Sequence, residues 1–126
     1  MELIEVNNTN YGFVKDFKNK PEIRASFNEL TQAVFQFDLE NWYLDGYWND
    51  NYIPYSLLYK NKVISNVSVN KMEFIIENEK KVAIQIGTVM TDKEFRNRGL
   101  SKFIMEQVIR EWKKQSDFIY LFANDS

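Results

Sequence analysis

Val82-Ala83-Ile84-Gln85-Ile86-Gly87-Thr88-Val89-Met90 is a mostly apolar run, and a short charged loop joins it to Arg96-Asn97-Arg98-Gly99-Leu100-Ser101. The run reads as a strand covered on both sides, because apolar residues fill successive positions instead of alternate ones. Beyond the second segment, Leu100, Ile104, Val108 and Trp112 recur at intervals of four, flanked by Phe103, Met105 and Ile109. That spacing predicts an amphipathic helix over residues 100–115. Ser116 and Asp117 break it, and residues 118–123 return as a second buried strand, parallel to the first through a right-handed crossover. The unit is therefore strand, basic turn, helix, strand. A turn so placed meets unpaired backbone N–H groups and the positive end of a helix dipole, which together attract an anion.

The residues of the turn suit that role. Gly99 lets a ligand approach the backbone, Arg96 and Arg98 supply charge and donors for a diphosphate, and Ser101 can bond a phosphate oxygen or cap the helix. No Gly-Lys-Ser/Thr follows, so this is not a P-loop, and a dinucleotide motif would need more glycines. Within the strand, Gln85 and Thr88 are polar and Gly87 has no side chain. A glycine there marks a bulge or a close approach to the backbone, or is simply tolerated opposite a bulky helix.

Composition narrows the remaining chemistry. The chain has 126 residues, 44% hydrophobic and 27% charged, which fits one soluble globular domain. Its net charge of −2 gives no general attraction to nucleic acid or to an acidic membrane. There is no cysteine and no histidine, which removes disulfides, thiol nucleophiles, Cys/His metal sites and Ser-His-Asp triads. No spacing of carboxylates suggests a metal. The first residues do not form a signal peptide and no apolar stretch is long enough to span a membrane, so a cytoplasmic location is expected.

Upstream, residues 3–6 read as a first strand. Asn7, Asn8, Thr9 and Asn10 then read as turn and cap residues before a helix starting at Tyr11. Pro21 opens a second helix, with Ile23, Phe27, Leu30, Val34 and Phe37 on one face, ending near Asn41. Residues 42–52 have no period, and their aromatics either close the end of a core or wall a substrate site. Residues 54–59, a long extended run from Val63 to Ile76 and the run from Val82 make an antiparallel meander joined by turns at residues 60–62 and 77–81. Between Ser65 and Lys71 apolar and polar residues alternate, so one face there is wet or lined with polar groups.

Arg96-Asn97-Arg98-Gly99-Leu100-Ser101 resembles the Arg/Gln-x-x-Gly-x-Gly/Ala signature of the GNAT (Gcn5-related) N-acetyltransferases, with Ser101 where that family prefers Gly or Ala. Residues 89–95 resemble the strand, loop and aromatic residue that precede this signature. The order of elements is similar too: one strand, two helices, a three-strand meander, the signature helix and a parallel strand. The fold implied is a mixed α/β sheet of the acyl-CoA N-acyltransferase type, a single domain over residues 1–126 that stops after its fifth strand. The family's last helix and closing strands, with their usual tyrosine proton donor, have no counterpart, so the chain reads as an incomplete domain with an uncovered apolar edge.

The resemblance implies acetyl transfer from acetyl-CoA to an amine acceptor, without metal, nucleic acid or membrane as partner; homodimerisation is left open. It places the pantetheine arm along the backbone of Val89, Met90 and Thr91 and the pyrophosphate on Arg96, Asn97, Arg98, Gly99, Leu100 and Ser101. Asn124 is implied to face the cofactor. For the acceptor it leaves Trp42, Tyr43, Tyr47, Trp48 and Tyr55. No catalytic residue is named: the base is a carboxylate, or water held by groups such as Gln85 or Asn70. The other readings are a non-catalytic acyl-CoA-binding or regulatory module, and a structural or dimerising half-domain.

Overall fold

Three loops of two residues each shape the sheet. Asn7-Asn8, Lys60-Asn61 and Glu77-Asn78 all lie at positive φ, between 50° and 69°. A type I′ hairpin loop demands that conformation at both positions, and asparagine tolerates it better than other side chains. The loops join β1 (Glu2–Val6) to β2 (Thr9–Lys15), β3 (Tyr52–Tyr59) to β4 (Lys62–Ile76), and β4 to β5 (Glu79–Thr91). The computed structural model describes residues 1–121, and in it six strands form one sheet ordered β1-β2-β3-β4-β5-β6, with β6 at Phe118–Leu121. Every neighbouring pair is antiparallel except β5 and β6, which pair in parallel from Ala83/Phe118 to Ile86/Leu121.

The segment at Tyr11, expected to be helical, is strand β2. Asn7 and Asn8 turn a hairpin instead of capping a helix, and Tyr11 and Val14 bury their side chains against the sheet's helices. The sheet therefore has a sixth strand where five were expected.

Helices cover both faces. On one, α3 (Leu100–Trp112) buries Leu100, Ile104, Val108 and Trp112 against Tyr55, Leu57, Ile64, Val67, Val69, Ile84 and Ile86. At roughly 1.5–3 kcal/mol per fully buried apolar side chain, this row alone fixes α3 to the sheet. On the other face α1 (Pro21–Phe35) packs Phe27 and Leu30 against Val14, Phe17, Trp48, Leu58, Val63 and Met90.

α1 stops six residues before Asn41, because Gln36 takes a left-handed φ of 66° and its N–H bonds the Gln32 carbonyl. A short α2 (Glu40–Leu44) follows, so Trp42, Tyr43 and Leu44 are helical where an irregular loop was expected. The charged turn before β5 is also shorter than expected, since Lys80 and Lys81 pair with Ile75 and Phe74 in the sheet. α3 ends at Trp112, short of Gln115. Among the described residues β6 pairs with β5 alone, and it is not the buried strand expected, with Phe118, Tyr120 and Leu121 all exposed. Among the described residues, no helix is long and apolar enough to cross a membrane.

Candidate functional site

The register of β4 against β5 slips at one point. Asn66 pairs with Met90 but Ser68 pairs with Gly87, so Val67 faces both Thr88 and Val89 across a bulge in β5. Gly87 borders the bulge, but the unusual backbone belongs to Thr88, at φ 47°. A β-branched residue there is strained and needs support. It has support: the Asn66 amide donates to the Thr88 carbonyl at 3.1 Å, and the Tyr52 hydroxyl lies 2.9 Å from the Thr88 hydroxyl. Asn66 also donates to Ser68 Oγ at 2.8 Å and accepts from Ser56 Oγ at 2.7 Å, while the Tyr52 hydroxyl donates to Ser68 Oγ at 2.9 Å. Each buried polar group in this set has a partner, as a low-dielectric interior requires. Burial pushes the Tyr52 phenol above its ordinary pKa, and its bonds to Ser68 and Thr88 pull back only in part, so it stays protonated.

Beside the bulge, on the α1 face, lies a cleft of about 620 Å³. Phe35, Phe37, Leu39, Trp42 and Tyr52 form its apolar side, and Thr31, Ser68, Asn70, Gln85, Gly87 and Thr88 form the polar one. The apolar side is held in place by Arg24, whose Nε donates to both Glu40 carboxylate oxygens at 3.2 Å and whose guanidinium lies 3.8 Å from the Tyr43 ring centre. Asn28 adds bonds to Glu40 and to the Leu39 N–H, both at 3.0 Å. Together they clamp α2 to α1 and present Leu39 and Trp42 to the cleft.

The basic turn lies at the other end of the bulged segment. Arg96 Nε donates to the Thr91 carbonyl at 3.2 Å, and the Arg98 guanidinium sits 4.9 Å from the Phe95 ring centre. Asn97 and Gly99 both have positive φ, 64° and 75°. Gly99 precedes the first turn of α3, and no side chain caps that turn. A Cβ added at Gly99 would meet only Asn7 Nδ2, at 3.6 Å, and this same amide donates to the Arg98 carbonyl at 2.6 Å. The result is a cationic turn with open space before uncapped helix N–H groups, a fit for a phosphate group. Among the described residues, residues 87–91 of β5 pair with β4 alone, which leaves their other edge open to an extended ligand.

Of the five residues considered for the acceptor, Trp42 lines the cleft. Trp48 is core, 3% exposed and ringed by Phe17, Phe27, Trp42, Tyr43 and Tyr52. Tyr55 faces α3, where its hydroxyl accepts from Trp112 Nε1 at 2.9 Å and donates to Glu111 at 2.8 Å. Tyr43 packs on Arg24, and Tyr47 is exposed away from the lining. Gln85 and Asn70, considered as holders of water, both line the cleft. Asn124 lies outside the described residues. Tyr52 belongs to the aromatic stretch read as core or substrate wall, and Ser68 to the alternating run read as having one polar face, but neither was singled out as a site residue, and Phe35 and Phe37 were not considered for the site.

Comparison with known proteins bears on the fold and the family. A family model for the acetyltransferase (GNAT) domain matches residues 18–125. No curated protein matches the chain. An acetyltransferase from Trypanosoma brucei superposes with a TM-score of 0.74 at 12% identity, over 91% of this chain and 84% of that one. Glucosamine-6-phosphate N-acetyltransferase from Arabidopsis thaliana gives 0.67 at 19%, over 91% and 83%. A predicted acetyltransferase with acetyl-CoA from Clostridium acetobutylicum gives 0.69 at 13%, over 91% and 82%. At these identities the superpositions speak for the fold, and the domain match speaks for the lineage: the chain belongs to the GNAT acetyltransferase family.

Proposed function

We propose that this chain transfers an acetyl group from acetyl-CoA to a primary amine held in the cleft. The observation that carries the reading is the position of the bulged segment of β5. Its start, Gly87 and Thr88, lines the cleft, and its end, Thr91, accepts from an arginine of the basic turn. Four residue steps of ~3.3 Å separate these ends, about 13 Å of open strand edge.

In this reading Arg96, Arg98, Gly99 and the first N–H groups of α3 bind the pyrophosphate, and the backbone of Val89, Met90 and Thr91 pairs with the pantetheine arm. Acetyl-CoA supplies the activated acyl thioester when bound. The N–H of Val89 would donate to the thioester oxygen, and the bonds of Asn66 and Tyr52 to the adjoining Thr88 would keep that donor fixed while charge develops. The amine needs its proton removed before it attacks. Tyr52, held neutral by burial, is no base, so Gln85 and Asn70 orient water for that step.

Calorimetry with acetyl-CoA and a thiol-release assay over a set of amines test the proposal. Replacing Arg96 and Arg98 together with alanine should weaken acetyl-CoA binding by roughly 2–5 kcal/mol, the loss of two charge-assisted contacts. Unchanged affinity would remove the pyrophosphate assignment. Tight binding without thiol release for any amine would leave a non-catalytic acyl-CoA-binding module.

A further inference from the structure

The cleft is lined entirely by uncharged side chains among the described residues. Five elements contribute, and the ionised groups that flank the lining residues in sequence, Asp38 and Lys71, each have a partner. Glu40, on α2, is bound by Arg24 and Asn28. Asp38, between α1 and α2, accepts the Glu40 N–H at 3.1 Å. On β4, beyond Asn70, Lys71 pairs with Glu73 at 3.4 Å, and Glu73 also pairs with Lys80 at 3.0 Å. Tyr52 is the one titratable group in the lining.

An apolar wall opposite neutral amides and hydroxyls discriminates by charge. A second ammonium on the acceptor would leave water with no carboxylate to meet it, and a phosphate or carboxylate would find no cation. An aromatic or aliphatic body, by contrast, buries its surface against Phe35, Phe37 and Trp42 at no electrostatic cost. The carbonyl oxygens of Asn70 and Gln85 provide acceptors for the N–H groups of one amine. We propose that the acceptor is a monoamine with an apolar aromatic or aliphatic body and no second charged group. This rests on the acetyl-transfer reading above and names the substrate class of that same cleft.

The test uses the full chain saturated with CoA and titrates four probes by calorimetry: 2-phenylethylamine, spermidine, kanamycin and glucosamine 6-phosphate. The expected result is that 2-phenylethylamine binds at least tenfold more tightly than each of the other three, with kcat/KM for acetylation in the same order. A charged probe that equals or exceeds it, or no binding of 2-phenylethylamine to the CoA complex, overturns the inference. Failure of CoA itself to bind overturns the acetyl-transfer reading instead, so the two failures are distinguishable. Gln85→Glu places a carboxylate in the lining and should shift the preference at least tenfold toward spermidine. A variant that keeps the wild-type circular dichroism and binds CoA, yet shows no shift, also overturns the inference.

Discussion

Thr88 holds a left-handed backbone at a cost of about 1–2 kcal/mol for a non-glycine residue. Its bonds to Asn66 and Tyr52 offset that cost, which makes the bulge a small cooperative assembly. Tyr52→Phe and Thr88→Val should each destabilise the protein by roughly 1–3 kcal/mol in urea unfolding, through buried groups left unpaired. Because both remove one shared bond, the double variant should lose less than the sum. A strictly additive result would separate the two residues. Tyr52 and Tyr55 also set the alkaline limit. Both phenols are raised above an ordinary 10.0, chiefly by burial, so above that pH the folded chain keeps protons that the unfolded chain has lost. Stability from these groups is complete below pH 10 and should fall as pH rises beyond it, by up to ~1.4 kcal/mol per pH unit for each. Urea midpoints between pH 9 and 11 check the slope. The two tyrosines also show what the sequence carried at this scale. The basic turn was legible because its charges and glycine are neighbours along the chain. Tyr52, Ser68 and Thr88 come from three strands, and only the register joins them. Position decides which tyrosine meets the cleft: Tyr55 shares parity along β3 with Leu57 and faces α3, while Tyr52 shares it with Leu58 and faces α1.

Among the elements, the hairpins depend on asparagine. Each two-residue loop ends in one at positive φ, where branched side chains are strongly disfavoured. Asn61→Val should lower stability by about 1–2 kcal/mol with little change in activity, read from denaturant midpoints and thiol release. A neutral result would show that the β3–β4 loop takes another conformation. The same asparagines explain why β2 was misread, since residues that cap helices also populate the left-handed region. Aromatic Tyr11 and Phe13 favoured a strand, but Gly12 between them blurred the alternation. α1 ran short for a related reason. Phe37 continued the apolar spacing, but it belongs to the cleft and not to the helix face. α3 was read correctly apart from its last turn because its row of four is dense and its outer face is charged.

For the whole molecule, strand order follows chain order. Four of the five strand pairs join consecutive antiparallel strands, three of them through tight turns, while β5 and β6 need the crossover through α3. Such a sheet can grow strand by strand with low loop-closure cost. The bond from Asn7 to the Arg98 carbonyl is the opposite case, spanning 91 positions. Asn7→Asp, which keeps a side chain that tolerates positive φ but loses the amide donor, should therefore speed unfolding while leaving the refolding rate nearly unchanged, the pattern of a contact formed after the transition state. Stopped-flow rates that show slower refolding instead would place this contact in the nucleus. The general architecture was legible from the central unit outward, because a buried strand, a basic turn and an amphipathic helix constrain one another.

The tie between Asn7 and Arg98 also bears on how the chain is made. On a ribosome the first hairpin emerges early and can pair at once, but the carbonyl that Asn7 holds is more than ninety residues behind it. During synthesis the β1–β2 hairpin thus exists before the basic turn, and the bond between them closes only once residue 98 has emerged.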